Sequence, residues 1–477
     1  MKQRIFFSVL ILVAFTGASC KKWLDVKPRD KVIENTLLNN ETGFMTALNG
    51  VYLDMTDEKS YGGQMTMQMT EVLAQRYNVG GGHSLYKLAS YQYTETEVQS
   101  LFGNTWGSMY KTVANINKIL SVIDERKNVF AGKHYSWAKG EALALRALIH
   151  FDLFRLFGPV YLQDSTAASL PYYTSFTTNF EAYLNGNVFI EKVLADLDAA
   201  ESLLADDPVL TGATLDKEES HEGVAWSYRN MRMNYYAVKA LKARVCLYRR
   251  DKVSALKYAS EVITGGSGVF PFVKLSEVLS DPRNPNRVFS GELLFTLQDS
   301  RRPVKYRGYF DPALKDDQIL TAAQNRLTSE YESNTNDFRY GSSWLIPGSN
   351  LKNYRCFFKY ADIENSAARF NNLIPMIRMS EMCFIAAECT PDPAAGIEYL
   401  NMVRRNRGIS DVAGNANFAA ELLKDYKREF YGEGQMFFYY KRNNTASLPG
   451  GTGSGTIAMN RQKYVLPIPL DESRFRN

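Results

Sequence analysis

The sequence predicts a mainly α fold of antiparallel helical hairpins, with an irregular loop-rich face and a few short strands. Three observations carry that expectation. Long segments place apolar residues at alternating steps of three and four. Alanines collect where paired helices must approach closely, and β-type runs are few and short. The 477 residues, 45% hydrophobic and 22% charged, are enough to bury a sizeable core.

The elements follow in chain order. A first helix is read at about 43–55. From Trp106 to Ile123, Met109, Val113, Ile116, Leu120 and Ile123 form one buried stripe. The next helix runs from about Trp137 to Phe157, turns Ala144, Ala147, Leu148, Phe151 and Phe154 inward, and ends at Gly158-Pro159. Further helices are read at about 188–205, 234–250, 252–264, 375–389, 393–407 and 416–431. Strand signals are limited to Val160–Leu162, Glu292–Leu297 and Tyr464–Ile468, the last an edge because of its prolines.

Between Tyr236 and Ile263 the small residues are Ala237, Ala240 and Ala243, then Ala255 and Ala259 beyond a turn at Arg250-Asp251. This pattern resembles a tetratricopeptide hairpin, whose units bury their faces only by stacking. Segments 375–407 and 106–157 have a similar shape. Stretch 265–370, rich in Asn, Ser, Pro and Tyr, reads as long surface loops over that scaffold. The expected organisation is therefore 1–19 a signal peptide, 20–30 an anchor and tether, 31–264 helical hairpins, 265–370 loop-rich, and 371–477 a C-terminal helical segment on the same body.

The N-terminus is basic at Lys2 and Arg4, apolar from Ile5 to Phe15, and small from Thr16 to Ser19 before Cys20. An apolar run this far below the ~20 residues of a spanning helix reads as an export signal. A cysteine directly after small residues suggests a bacterial lipoprotein in which Cys20 is lipidated, which directs the search for function to a cell surface. Gly17 stands where such signals usually carry Leu, and an ordinary cleaved secretory signal is the alternative.

The net charge of +5 is small for this length and the basic residues are interspersed with acidic ones, so no nucleic-acid surface is expected. Cys246, Cys356, Cys383 and Cys389 read as buried free thiols, at spacings that do not suit zinc. His83, His134, His150 and His221 form no close pair, and His150 reads as structural. Gly450–Gly455 lacks the lysine of a phosphate loop and reads as a flexible loop. No nucleophile elbow is present and no carboxylate pair stands out, so no catalytic residue, metal or cofactor is nominated. Glu141, Arg146, Arg378, Glu381, Arg404, Arg407 and Glu433 are charges set in apolar helical patterns, which predicts ion pairs that lock the fold.

An ordered series of motifs resembles SusD/RagB lipoproteins over nearly the whole mature chain. It comprises Cys20–Pro28, the Trp106–Asn115 helix, Gly140–Gly158, Ala240–Tyr248, Ile377–Glu381 with Ala387-Glu388, Leu400–Gly408, Lys427–Glu429 with Gly432–Gly434, Lys441-Arg442, and Leu466–Pro469. The resemblance implies a non-catalytic lipoprotein of the outer-membrane surface. It would capture an oligosaccharide, or in some members a peptide, be held by membrane lipid through its anchor, and lid a SusC-like TonB-dependent transporter. Residues 435–440 depart from the family pattern.

A sugar ring offers apolar C–H faces and a hydroxyl rim, so a capture site needs flat aromatic side chains with Asn, Gln, Asp or Arg beside them. Two aromatic-rich segments fit, and the resemblance points to the same regions. One holds Arg76, Tyr77, Tyr86, Tyr91 and Tyr93, with Gly80–Gly82 as a hinge. The other holds Tyr306, Arg307 and Tyr309 after Asp299–Arg302. Trp344, with Asp337, Arg339 and Tyr340, is a third candidate. The alternatives to a binding lipoprotein are a surface glycoside hydrolase, which needs a carboxylate pair, and a tetratricopeptide-type scaffold that binds a protein in a groove.

Overall fold

Asn40 starts the first helix by accepting the Gly43 amide on its side chain at 2.9 Å, the usual way a helix N-terminus satisfies a stranded donor. That helix, α1 (Glu41–Met55), belongs to a computed structural model that describes residues 37–212, 226–348, 351–453 and 455–474. The expected signal peptide, Cys20 with its 20–30 tether, and His221 lie outside the described residues. The scaffold continues with α2 (Thr96–Ile123), α3 (His134–Phe157), α4 (Gly186–Leu203), α5 (Tyr235–Tyr248) and α6 (Lys252–Gly266). Each packs on the next, and α6 passes the stack on to α7 (Met379–Cys389) and α8 (Pro393–Arg405). The hairpins expected at 106–157, 236–263 and within 375–407 are thus α2/α3, α5/α6 and α7/α8.

The alanines act where expected: Ala237, Ala240, Ala243, Ala255 and Ala259 are all completely buried between neighbouring helices. Gly140 does the same for α3, since a Cβ there would lie 2.7 Å from Leu204 Cγ. Two helices near the C-terminus, α9 (Phe418–Glu429) and α10 (Gln435–Arg442), close the body. A last short helix, α11 (Leu470–Arg474), follows. No helix among the described residues is long and apolar enough to cross a membrane.

Several expected elements differ. Residues 375–378 are strand rather than helix: β2 (Leu373–Arg378) pairs antiparallel with β1 (Leu293–Gln298), Leu293 opposite Arg378 and Gln298 opposite Leu373, and α7 starts only at Met379. Pro375 disfavours the helical conformation for Ile374, and the branched Ile374 and Ile377 pack well on a pleated surface. Val160–Leu162 turns instead of forming a strand, because Gln163 and Asp164 both donate to the Val160 carbonyl. Tyr464 ends a helical turn (Arg461–Tyr464), and the following residues join no ladder, Pro467 and Pro469 having no amide to give. The Trp106 helix begins ten residues early, at Thr96, with Val98 and Phe102 extending its buried stripe. Segment 265–370 is not a surface layer. It holds short helices at Leu275–Leu279, Arg302–Tyr309, Gln324–Tyr331 and Phe338–Ser343, and Phe310, Leu320, Tyr331, Trp344 and Phe357 are each at most 1% exposed.

Every charge expected to lock the fold is paired. Glu141 meets Arg229 and Arg232, Arg146 meets Asp196, and Glu381 meets Arg244. Arg378 and Arg407 share Glu292 and Glu429, Arg378 also meets Glu433, and Arg404 meets Asp425. Burial alone would raise the Glu429 carboxyl, but Arg407, Arg339 and Arg378 hold it well below the ordinary range. The four described cysteines are free and buried, and burial raises each thiol pKa to about 11 or 12.

Candidate ligand-binding site

A cleft of about 800 Å³ opens where the C-terminal half of α1, the turn at 227–232, the end of β1 and the 366–372 approach to β2 meet. Its floor is built from buried charge. Arg229 lies fully buried between Asp207 and Glu141, which fixes the turn that follows Tyr228. Arg232 reaches from that turn to Glu141 at 3.0 Å and to Asn49 of α1 at 2.5 Å. Tyr52 donates to Glu141 at 2.9 Å and accepts the Met233 amide, and its burial pushes the phenol pKa well above the ordinary value. Glu141 would be raised by burial, yet Arg229 and Arg232 keep it below its ordinary value, so the floor stays ionised and rigid.

On that floor stand the groups a ligand would meet. The Tyr228 ring is held on a residue in the left-handed region, φ 52, and the Arg369 guanidinium lies 5.5 Å from its centroid. Asn372, also left-handed at φ 65, accepts the Asp299 amide on its backbone carbonyl. The Asn372 side-chain oxygen is buried with no hydrogen-bond partner among the described residues. Asn49, Gln298 and Asn371 add amides, and among the described residues the lining contains no Asp, Glu, His or Cys. Such a surface stacks against an apolar face and exchanges hydrogen bonds with hydroxyls.

The residues singled out from the sequence fare differently. Arg76, Tyr77, Tyr306, Tyr309 and Trp344 are between 0% and 7% exposed, a correction to their reading as open platforms. Distant segments cover them. Tyr77 packs on Phe310 and Tyr431, Arg76 pairs with Glu330 and lies over Tyr431, and Trp344 is enclosed by Phe357 and Tyr431. Tyr306 packs on Phe310 and Phe358, and Tyr309 donates to Glu58. Tyr86 and Tyr91 are half-buried, Tyr91 donating to the Leu73 carbonyl, and exposed Arg307 faces Asp362 at 3.3 Å. None of these residues lines the 800 Å³ cleft.

Sequence reasoning missed Tyr228, Arg369 and Asn372. The Arg-Phe-Asn-Asn run at 369–372 has the amide-plus-arginine chemistry sought, but its aromatic partner arrives from the other side of α5 and α6 in the chain.

Fold and cleft together describe a helical-repeat binding protein, and comparison with known proteins agrees. Residues 22–215 match a SusD-like family model described as starch-binding associating with outer membrane, and residues 286–472 match the SusD family model. The chain belongs to the SusD/RagB family. A curated relative, SusD-like protein P25 of Formosa agariphila, is 20% identical over 83% of this chain and 80% of its own. A SusD superfamily protein of Bacteroides thetaiotaomicron superposes with a TM-score of 0.72 at 21% identity, covering 91% of this chain and 98% of that one. Surface glycan-binding protein A of the same species gives a TM-score of 0.67 at 17% identity, covering 92% and 98%.

Proposed function

We propose that the protein is a non-catalytic lipoprotein of the outer-membrane surface that captures an oligosaccharide in the Tyr228 cleft and passes it to a partner SusC-like TonB-dependent transporter. The observation that carries this reading is the cleft lining. An aromatic ring with an arginine beside it, four side-chain amides and an unpartnered acceptor make a surface for stacking and hydrogen bonding. A glycosidase instead needs two carboxyl groups facing one bond. Family membership supports the surface location and the carbohydrate class, and Cys20 supplies the expected attachment point for lipid.

The test has two arms. Affinity electrophoresis against a panel of polysaccharides is expected to retard the protein in at least one gel, with Tyr228→Ala weakening retention about tenfold. Release of reducing ends from a retained polysaccharide would move the protein to the hydrolases. Retention of a peptide library instead of any glycan would change the ligand class. In the second arm, tagged protein isolated from its own outer membrane is expected to bring down a β-barrel transporter in stoichiometric amount, and Cys20→Ala is expected to move the protein to the soluble fraction.

A further inference from the structure

A second recess, apart from the cleft, lies along α2. It encloses about 190 Å³ between Trp106, Tyr110 and Val113 of α2 and the chain from Tyr173 to Phe180, with Glu472 of α11 at its edge. Its aromatic surfaces meet at an angle. Half-buried Tyr173 stands edge-on to half-buried Tyr110 at 5.6 Å, and Trp106, only 6% exposed, backs Tyr110 at 4.8 Å as a buried neighbour of the recess. Phe180 is 50% exposed at the mouth. Around these rings the rim carries Ser175, Thr177, Thr178 and Asn179.

The rim is unusually well fixed for a loop. Buried Asn117 donates to the Tyr173 and Ser175 carbonyls at 3.0 and 3.2 Å. Buried Arg146 donates to the Thr174 carbonyl and to Asn117 while paired with Asp196, and the Tyr110 hydroxyl donates to the Pro171 carbonyl. His150 accepts the Tyr173 amide at 3.1 Å. Four side chains from α2 and α3 thus make five hydrogen bonds to the backbone of Pro171, Tyr173, Thr174 and Ser175, so a ligand would meet a preformed wall and lose little affinity to ordering it.

We propose that this recess binds a single pyranose ring, as a second sugar-contact point separate from the Tyr228 cleft. The volume suits one ring and not a chain. Apolar C–H faces match the Tyr110, Tyr173 and Phe180 rings, and ring hydroxyls match the Ser, Thr and Asn rim. A flat aromatic ligand would leave that rim unused, and a quaternary ammonium would use the rings only.

The test uses the full chain labelled with 5-fluorotryptophan, the Trp106 resonance being identified by Trp106→Phe. Methyl glycosides of glucose, galactose, mannose, xylose, N-acetylglucosamine and glucuronic acid are titrated, with choline as the cationic probe. At least one glycoside is expected to shift the Trp106 resonance saturably at millimolar concentration, and Phe180→Ala and Asn179→Ala to weaken it several-fold. Both positions are exposed, and matched thermal midpoints check that the variants are folded. No shift with any glycoside, a shift with choline alone, or a shift unchanged in both variants overturns the proposal. Because the readout sits at Trp106, the result is independent of whether the Tyr228 cleft binds a glycan.

Discussion

Acid should loosen this protein through one histidine, His150. The ring is completely buried, stacked on Tyr172 at 3.9 Å, and both its nitrogens are used. Nδ1 donates to the Arg146 carbonyl at 2.9 Å and Nε2 accepts the Tyr173 amide at 3.1 Å, which fixes the neutral tautomer. A second proton would have to sit on Nε2, facing an N–H, close to the Arg146 guanidinium. Burial foremost, with the Arg146 charge adding to it, pushes the pKa down from 6.5 to about 3. The folded value lies below the unfolded one, so the contribution to stability is complete above pH 6.5 and is lost as pH falls from 6.5 toward 3. Between pH 8 and pH 5 that amounts to about 1.5 pK units, or about 2 kcal/mol. Urea titrations at both pH values, for the wild type and His150→Gln, isolate the effect, because other titrating groups cancel in the difference of differences. The variant is expected to be less stable at pH 8 but to lose about 2 kcal/mol less on acidification. Hydrogen exchange of a peptide covering 172–178 should show the wild-type loss at the rim itself. An identical pH dependence in the two proteins would refute the reasoning.

Other expectations follow from the same kind of geometry. Burial raises the Glu71 carboxyl to about 7 against the pull of Arg76. Its folded value is above the unfolded one, so stability falls as pH rises through the 4.5–7 window, by about 1 kcal/mol between pH 6 and pH 8, and Glu71→Gln should remove that slope in denaturant titrations. Gly434 sits at φ 73, where a Cβ would lie 2.0 Å from the Met65 carbonyl oxygen. Gly434→Ala should therefore cost at least about 2 kcal/mol, read as a lowered thermal midpoint. Arg146→Ala leaves Asp196 buried without its bidentate partner and frees the 174 carbonyl, an expected loss of about 3–5 kcal/mol in urea denaturation, with faster exchange at 172–178.

How much of this was legible depends on how local each question was. The α2 stripe from Met109 to Ile123 and the alanines of α5 and α6 could be read directly, because helix periodicity is a property of neighbouring residues. Partnered charge was legible too. Arg378, Arg407 and Glu433 stand in apolar surroundings, where an ion persists only with a counter-ion, so the ion pairs were predictable before their partners were known. The strand at 373–378 was harder, because its apolar run suits either a buried helix or a buried strand until β1 is known to lie beside it.

The site divides along the same line. From the sequence alone came the family, the helical architecture and the kind of side chain a sugar site needs. The tertiary structure decided which tyrosines remain available. Tyr77 and Tyr228 are the same residue type in similarly irregular segments, yet Tyr77 is completely buried beneath Phe310 and Tyr431, whereas Tyr228 faces a cleft beside Arg369. The rings and the guanidinium involved come from positions far apart in the chain. Exposure is a sum over contacts from all of it, and so it is settled only when the whole molecule has packed.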